Sequence, residues 1–202
     1  MIQIVTFATP EYAEELEEFR TAAASCGFDP NCCLVDSRGS WRKNVGMKPR
    51  LFLSWLDQGY GPFLFIDVDG RIKTDLAWLE LMTPTYDFGC WFIPNDQMRP
   101  KDRPGGEKSK NDGLASGTVW INNTWQCREF LQRWIKREKG QHQYGQIVLG
   151  ETWHFDRPDD LRTLKLPQRF CKVFDRDWKR GEEGPVQIEH MQASRRLRKK
   201  VG

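Results

Sequence analysis

Residues 63–69 read Phe-Leu-Phe-Ile-Asp-Val-Asp, four apolar residues that run directly into two carboxylates, Asp67 and Asp69. A short apolar run of this kind predicts a buried strand. Open α/β sheets hold their ligands just beyond the carboxyl ends of such strands. Alternate residues of an extended chain share a face, so Asp67 and Asp69 point the same way. Two carboxylates this close repel each other unless a cation or a shared proton lies between them. Their hard oxygens suit Mg²⁺ or Mn²⁺, which in turn suit phosphate oxygens. The plainer alternative is an acidic turn after the strand, with Gly70 as the turn residue.

Working outward, residues 2–7 predict a first strand, and Pro10 opens a helix that Gly27 stops. Residues 32–35 predict a second strand, 37–46 a polar loop, and 47–58 a helix with Leu51 and Trp55 on its buried face. After the acids, Asp75 is placed to cap a short helix through Leu81. Further strands are expected at 86–93, 116–122, 161–166 and 186–190, and helices at 125–138 and 146–149. Residues 94–113 hold three prolines, three glycines and many charges without periodicity, which predicts a mobile lid. Strands alternating with helices give an α/β sandwich, and 202 residues give one domain, 1–202.

Composition excludes several classes. Hydrophobic residues make up 39% and charged residues 29%, which is globular rather than disordered. No apolar run approaches the ~20 residues of a membrane helix, and the start of the chain lacks a signal-peptide pattern. Six cysteines show no C-x-x-C pair, so free thiols in a reducing cytoplasm are expected. Net charge is only +3, but Arg195, Arg196, Arg198, Lys199 and Lys200 crowd a basic tail, 195–202. Such a tail can bind nucleic acid, or it can be a solvated end.

Several motifs lie in a fixed order around Asp67-Val68-Asp69. Thr6-Phe7-Ala8-Thr9 ends the first strand, and Lys48-Pro49 opens the helix before the acids. Asp75-Leu76 follows them, then Ala115-Ser116-Gly117-Thr118-Val119-Trp120-Ile121-Asn122, Tyr144-Gly145-Gln146-Ile147-Val148-Leu149 and His190-Met191-Gln192-Ala193-Ser194-Arg195. In this order the chain resembles the GT-A-fold nucleotide-sugar glycosyltransferases of the D-x-D type, with a C-terminal histidine motif like that of retaining members. It departs from them at Gly145, where their Asp-Gln-x-x-Leu segment carries an acid. A haloacid-dehalogenase-type phosphatase is the alternative, with Asp67 as nucleophile, but Arg71 stands where its threonine belongs. A non-catalytic nucleotide-sugar binder is the third reading.

The resemblance implies a single GT-A, Rossmann-like α/β/α sandwich with a mixed central sheet. It implies a Mn²⁺ or Mg²⁺ ion held by Asp67, Asp69 and His190, and a nucleotide-sugar co-substrate, UDP-sugar favoured. Thr6, Ala8 and Thr9 would frame base and ribose. Lys48 and Arg195 would face phosphate, and Ser116 and Gly117 the sugar. Gln146 is expected near the reacting sugar. Asp112 is the candidate base, with Glu151 and Asp156 behind it, should the reaction invert. The acceptor stays open, with modified nucleic acid, as in phage DNA modification, among the candidates. Cytoplasm is the expected location, the host's if the source is viral.

Overall fold

The computed structural model describes residues 2–82, 85–138, 145–178, 181 and 183–198. The first half alternates strand and helix: β1 (Gln3–Ala8), α1 (Ala13–Ser25), β2 (Asn31–Leu34), α2 (Trp41–Val45), α3 (Lys48–Asp57), β3 (Phe63–Ile66) and β4 (Gly70–Ile72). The second half holds β5 (Phe88–Ile93), β6 (Gly113–Ile121), α4 (Trp125–Glu138), α5 (Gly145–Asp156), β7 (Thr163–Leu166), β8 (Lys172–Val173), β9 (Ile188–His190) and α6 (Ala193–Arg198).

Six strands form the main sheet in the order β2-β1-β3-β6-β5-β7. β6 alone runs antiparallel to its neighbours, with Phe65 opposite Val119 and Cys90 opposite the same residue. The sheet is therefore mixed, as expected. A second sheet, β4-β9-β8, brings the chain's late segment back beside the two acids.

The period-2 alternation of the strands sorts their side chains onto two faces. Val5, Phe7, Phe63, Phe65, Phe88, Val119 and Ile121 pack beneath α3, α4 and α5, with Phe52, Trp55, Phe130, Trp134 and Val148. Ile4, Leu64, Ile66, Trp120 and Leu164 face the other way, against Phe19 of α1 and against Ile72 and Ile188 of the small sheet. Three layers result. In α4, Cys127, Phe130, Leu131 and Trp134 are buried at helical spacing, and Lys136 and Arg137 close its last turn, where cations favour the helix dipole. Asp87, fully buried, ties β5 to the chain before β7 by accepting from Arg162 at 2.7 and 3.0 Å.

Several expectations are corrected. The 37–46 loop contains α2, because Ser40 caps it by accepting from Lys43 N–H. The stretch after Asp75 forms a 3₁₀ turn, Ala77–Met82, rather than an α-helix. The first helix opens as a 3₁₀ turn, Pro10–Tyr12, and Gly27 stops it at φ 80°. Helix α5 runs far past Leu149, and β6 begins at Gly113, inside the segment read as a lid. Strand β4 went unread because three residues straight after a turn carry no periodic signal. All six cysteines are free, with Cys26 and Cys33 half-buried rather than buried. His142, Tyr144 and the end of the basic tail, 199–202, lie outside the described residues.

Candidate active site

A cleft of ≈ 560 Å³ opens along the carboxyl ends of β1 and β3. Its floor is the turn after β3, where Gly70 N–H donates to the Asp67 carbonyl at 2.7 Å. That turn fits only glycine. A Cβ at Gly70 would lie 2.4 Å from Ile66 Cγ2 and 3.0 Å from the Asp67 carbonyl oxygen.

Lys48, the first residue of α3, reaches into the cleft from below. Its side chain is 3% exposed, and its Nζ lies 2.7 Å from Asp67 Oδ1. The same ammonium donates to the Ser116 carbonyl at 2.8 Å and to Ser116 Oγ at 3.3 Å. It also sits 5.1 Å from the centre of the Phe65 ring. Lysine here is the buried partner of a carboxylate at the cleft. Asp67 is 34% exposed toward the cleft. Its surroundings raise its pKa, through burial and the nearby Asp69 charge, against the pull of Lys48.

Asp69 has the opposite bias. Its Oδ2 accepts from Ala193 N–H at 3.0 Å, and its Oδ1 lies 3.5 Å from His190 Nδ1. Burial pushes its pKa up, but the hydrogen bond and charge of His190 with the Ala193 N–H outweigh that, and the net shift is down. His190 comes from β9 and is 2% exposed. Burial disfavours its charged form, yet Cys171 and Asp69 beside it push its pKa up to about 10. Its Nε2 is 2.9 Å from Thr118 Oγ1. Gly117 clears the space, since a Cβ there would lie 3.0 Å from His190 Cε1. Gln192, at φ 55°, turns the chain so that Ala193 N–H faces Asp69. A non-glycine residue in that region carries strain that the site has to hold.

These distances bear on a metal. Among the described residues no three His, Cys, Asp or Glu side chains converge as a finished metal site. Two of the expected ligands do face each other. With Nε2 engaged by Thr118, Nδ1 and Asp69 Oδ1 form the nitrogen–oxygen pair that a divalent cation takes in place of a proton. The third, Asp67, is turned toward Lys48. The donor set fits a hard cation, with Asp67 free to rotate from lysine or to reach the ion through water.

Of the residues picked from the sequence, Ala8, Thr9, Lys48, Asp67, Asp69, Ser116, Gly117, Gln146, His190 and Arg195 line this one cleft. Two do not. Thr6 is fully buried and does not line it, because it lies further back in β1 than Phe7, Ala8 and Thr9, the residues at the strand's carboxyl end that do. Asp112 lies at a second cavity, its Oδ1 accepting from Asn95 N–H at 3.0 Å. Glu151 and Asp156 are paired with Arg137 on the far side of α5 and line neither cavity. Arg195 is held by Asp175.

Sequence reasoning missed Tyr12, Trp41, Asn44, Trp91 and Arg176, all in the cleft wall. Asn44 pins the segment that carries Trp41, accepting from Arg38 N–H at 2.7 Å and donating to Ser37 Oγ at 3.1 Å. No local pattern marks these residues, because long-range folding alone brings them to the acids. Segment 94–113 forms two 3₁₀ turns and places Gln97, Met98, Arg99 and Asp102 at the cleft. Its ends are fastened: Asn95 Nδ2 donates to the Ser109 and Asn111 carbonyls at 3.0 and 2.9 Å.

No protein-family model matches the chain, and no curated protein matches it by sequence. Solved structures do. A glycosyltransferase involved in glycosylation of the major capsid of PBCV-1 matches at TM-score 0.63 and 13% identity, over 99% of this chain and 98% of that one. Mouse xyloside xylosyltransferase 1 matches at TM-score 0.58 and 12% identity, over 96% and 98%. The galactosyltransferase LgtC, in complex with donor and acceptor sugar analogues, matches at TM-score 0.57 and 15% identity, over 94% and 86%. A further LgtC structure is of an active-site mutant that replaces a glutamine by glutamate.

The fold is that of the GT-A glycosyltransferases. On that fold the phosphatase alternative loses its basis. Arg71, in place of the phosphatase threonine, is the middle residue of β4 and donates to the Val68 and Gly70 carbonyls at 3.2 and 2.9 Å. No described helix is long and apolar enough to cross a membrane.

Proposed function

We propose that the chain is a metal-dependent glycosyltransferase that moves a sugar from a nucleotide-diphosphate sugar, UDP-sugar favoured, to an acceptor hydroxyl. One observation carries the reading: on a GT-A fold, Asp67, Asp69, His190 and Lys48 meet at the mouth of β3 in one cleft. In the transfer, the bond between sugar C1 and the diphosphate oxygen breaks, and its electron pair leaves with the diphosphate. The acceptor oxygen bonds to C1 and gives up its proton.

Asp69 and His190 would hold the divalent ion, with Asp67 direct or through water, and the ion would neutralise charge on the departing diphosphate. Lys48 keeps Asp67 oriented and lowers the negative potential at the sugar end. Arg176 and Arg195, at the wall, suit phosphate because the guanidinium fork pairs with two oxygens. Tyr12 and Trp41 offer flat faces for the base, and Thr9 and Ala8 border the ribose. Gln146 borders the sugar, a role supported in kind by the glutamine at LgtC's active site.

Retention of configuration fits the wall best. Among the described residues the cleft's one other carboxylate is Asp102, which Arg99 already holds. The departing phosphate oxygen is then the proton acceptor, and no dedicated base is needed. Arg195, the one residue of the tail whose side chain is described, belongs to this cleft, which favours a donor role over nucleic-acid binding. Segment 94–113, fastened at both ends, is placed to fold its middle over a bound donor and exclude water.

The test is a thermal-shift screen of nucleotide-sugars with and without Mn²⁺. A donor at a hundredfold its Kd adds about 2.7 kcal/mol, or about 5–10 °C at roughly 2–4 °C per kcal/mol for a chain of this size. The expected result is a shift with a UDP-sugar only when Mn²⁺ is present. No shift with any nucleotide-sugar would sink the reading.

A further inference from the structure

Beyond the cleft, past the end of β7, lies a second cavity of ≈ 400 Å³. Ligand pockets span about 300–1,000 Å³, so it has room for a single sugar ring. Trp91 lines both cavities. Its side chain is buried, 2% exposed, and its Nε1 has no hydrogen-bond partner among the described residues. The same is true of Arg169 Nε, also in this cavity wall. Buried donors left unpaired are rare in folded proteins and cost free energy until something accepts from them.

The charges around these donors define what could accept. Arg169 has no ion pair among the described residues, and its guanidinium lies 5.8 Å from the Phe170 ring centre. Lys165 Nζ stands 4.8 Å from the Phe92 ring centre, at the same cavity. Two carboxylates complete the wall, and both are engaged by backbone: Asp112 by Asn95 N–H at 3.0 Å, Glu183 by Gly181 N–H at 2.8 Å. Carboxylates so held still have lone pairs for sugar hydroxyls. A guanidinium without an ion pair among the described residues, an ammonium and an indole N–H offer an anion its donors, with the two held carboxylates balancing the charge of the wall.

We propose that this cavity is the acceptor subsite and that it takes a sugar bearing an acidic group, a carboxylate or a phosphate, with Arg169 forked onto the acid and Trp91 N–H beside it. The inference rests on the glycosyltransferase reading for its word "acceptor", but not for the binding itself. Trp91 as shared wall brings a ring in this cavity next to the sugar end of the cleft. The acid anchors the far side of the acceptor, and a hydroxyl on its near side faces C1.

The experiment titrates the full chain with glucuronic acid, glucose 6-phosphate and glucose, followed by NMR, alongside hydrolysis of the donor found in the screen. Arg169→Gln keeps a polar side chain of similar reach while removing the charge. The expected result is binding of at least one acidic sugar about tenfold tighter than glucose. Arg169→Gln should erase that preference with donor hydrolysis unchanged. The carboxylate and phosphate arms identify which acid is meant. Equal binding of all three sugars, or an acid preference that survives Arg169→Gln, overturns the subsite. If no nucleotide-sugar is hydrolysed but the Arg169-dependent preference holds, the subsite stands and the transferase reading falls.

Discussion

The cleft and the second cavity beside it are built on opposite terms. In the cleft Lys48, Asp67, Asp69 and His190 each face a partner within 3.5 Å. At the second cavity Trp91 and Arg169 keep buried nitrogens with no partner among the described residues. Paired groups hold their geometry before anything binds, which suits stabilising charge as it develops on a leaving group. Unpaired donors instead gain most when a ligand arrives, which suits choosing among acceptors. On the proposed function, the cleft is the place for chemistry and the second cavity the place for selection.

The largest expected effect is in the cleft. Asp69→Asn keeps an oxygen for Ala193 N–H but loses the charge that faces His190. Loss of a partner around a bound ion costs about 10–100-fold in metal affinity, and loss of a ligand at least the upper figure. Calorimetry of UDP with Mn²⁺ should show binding weakened about 100-fold or more, with circular dichroism unchanged. Unchanged Mn²⁺-dependent affinity would remove Asp69 from the site.

A smaller effect asks whether the pairing itself stabilises the fold. Lys48→Met takes the buried ammonium from Asp67 and from the Ser116 carbonyl. Leaving a buried acceptor unsatisfied costs about 1–3 kcal/mol. The partial exposure of Asp67 to the cleft keeps the loss within that range. Urea unfolding should show it, and Lys48→Met with Asp67→Asn should lose less than the two single changes added together. Strict additivity would mean that the pair is not coupled.

The same contrast explains what the sequence made legible. Residues 63–69 form a short apolar run ending in two acids, which the local pattern marked by itself, whereas Lys48-Pro49 and Gly117 were reached through the order of motifs that carries the resemblance. His190 was reached only through resemblance, for nothing in Ile188–His190 announces that β9 pairs with β4 and delivers the ring to Asp69. Thr6 was placed one residue too far out along β1: the cleft begins at Phe7, and Thr6 is buried behind it. Asp112 was named only as an acid available should the reaction invert, and its side chain fastens Asn95. Trp91 and Arg169 left no trace, since an unpaired nitrogen is a property of packing. Trp41 was hidden in a stretch read as loop, where the decisive clue was the Ser40 cap.

The smallest effect tests the fastening of segment 94–113, where the second cavity meets the lid. His154 Nε2 lies 2.8 Å from the Asp112 carbonyl, so the neutral ring donates there. Burial lowers the His154 pKa, with Arg157 and Lys165 pulling the same way and the Asp112 contact opposing them. A base whose folded pKa is depressed contributes stability that is present above its unfolded value, about 6.5, and lost as pH falls through the folded pKa. Acid should therefore loosen the segment. Gln at this position can still donate to Asp112 but does not titrate. Amide hydrogen exchange across 94–113 should quicken in the wild type relative to His154→Gln as pH drops from about 7 to 5. The difference should be at most about 1 kcal/mol, the net worth of one hydrogen bond. It should shrink when donor and Mn²⁺ close the segment over the cleft. Exchange that tracks equally in both proteins at every pH would show that His154 is no latch, and that Asn95 alone fastens the segment.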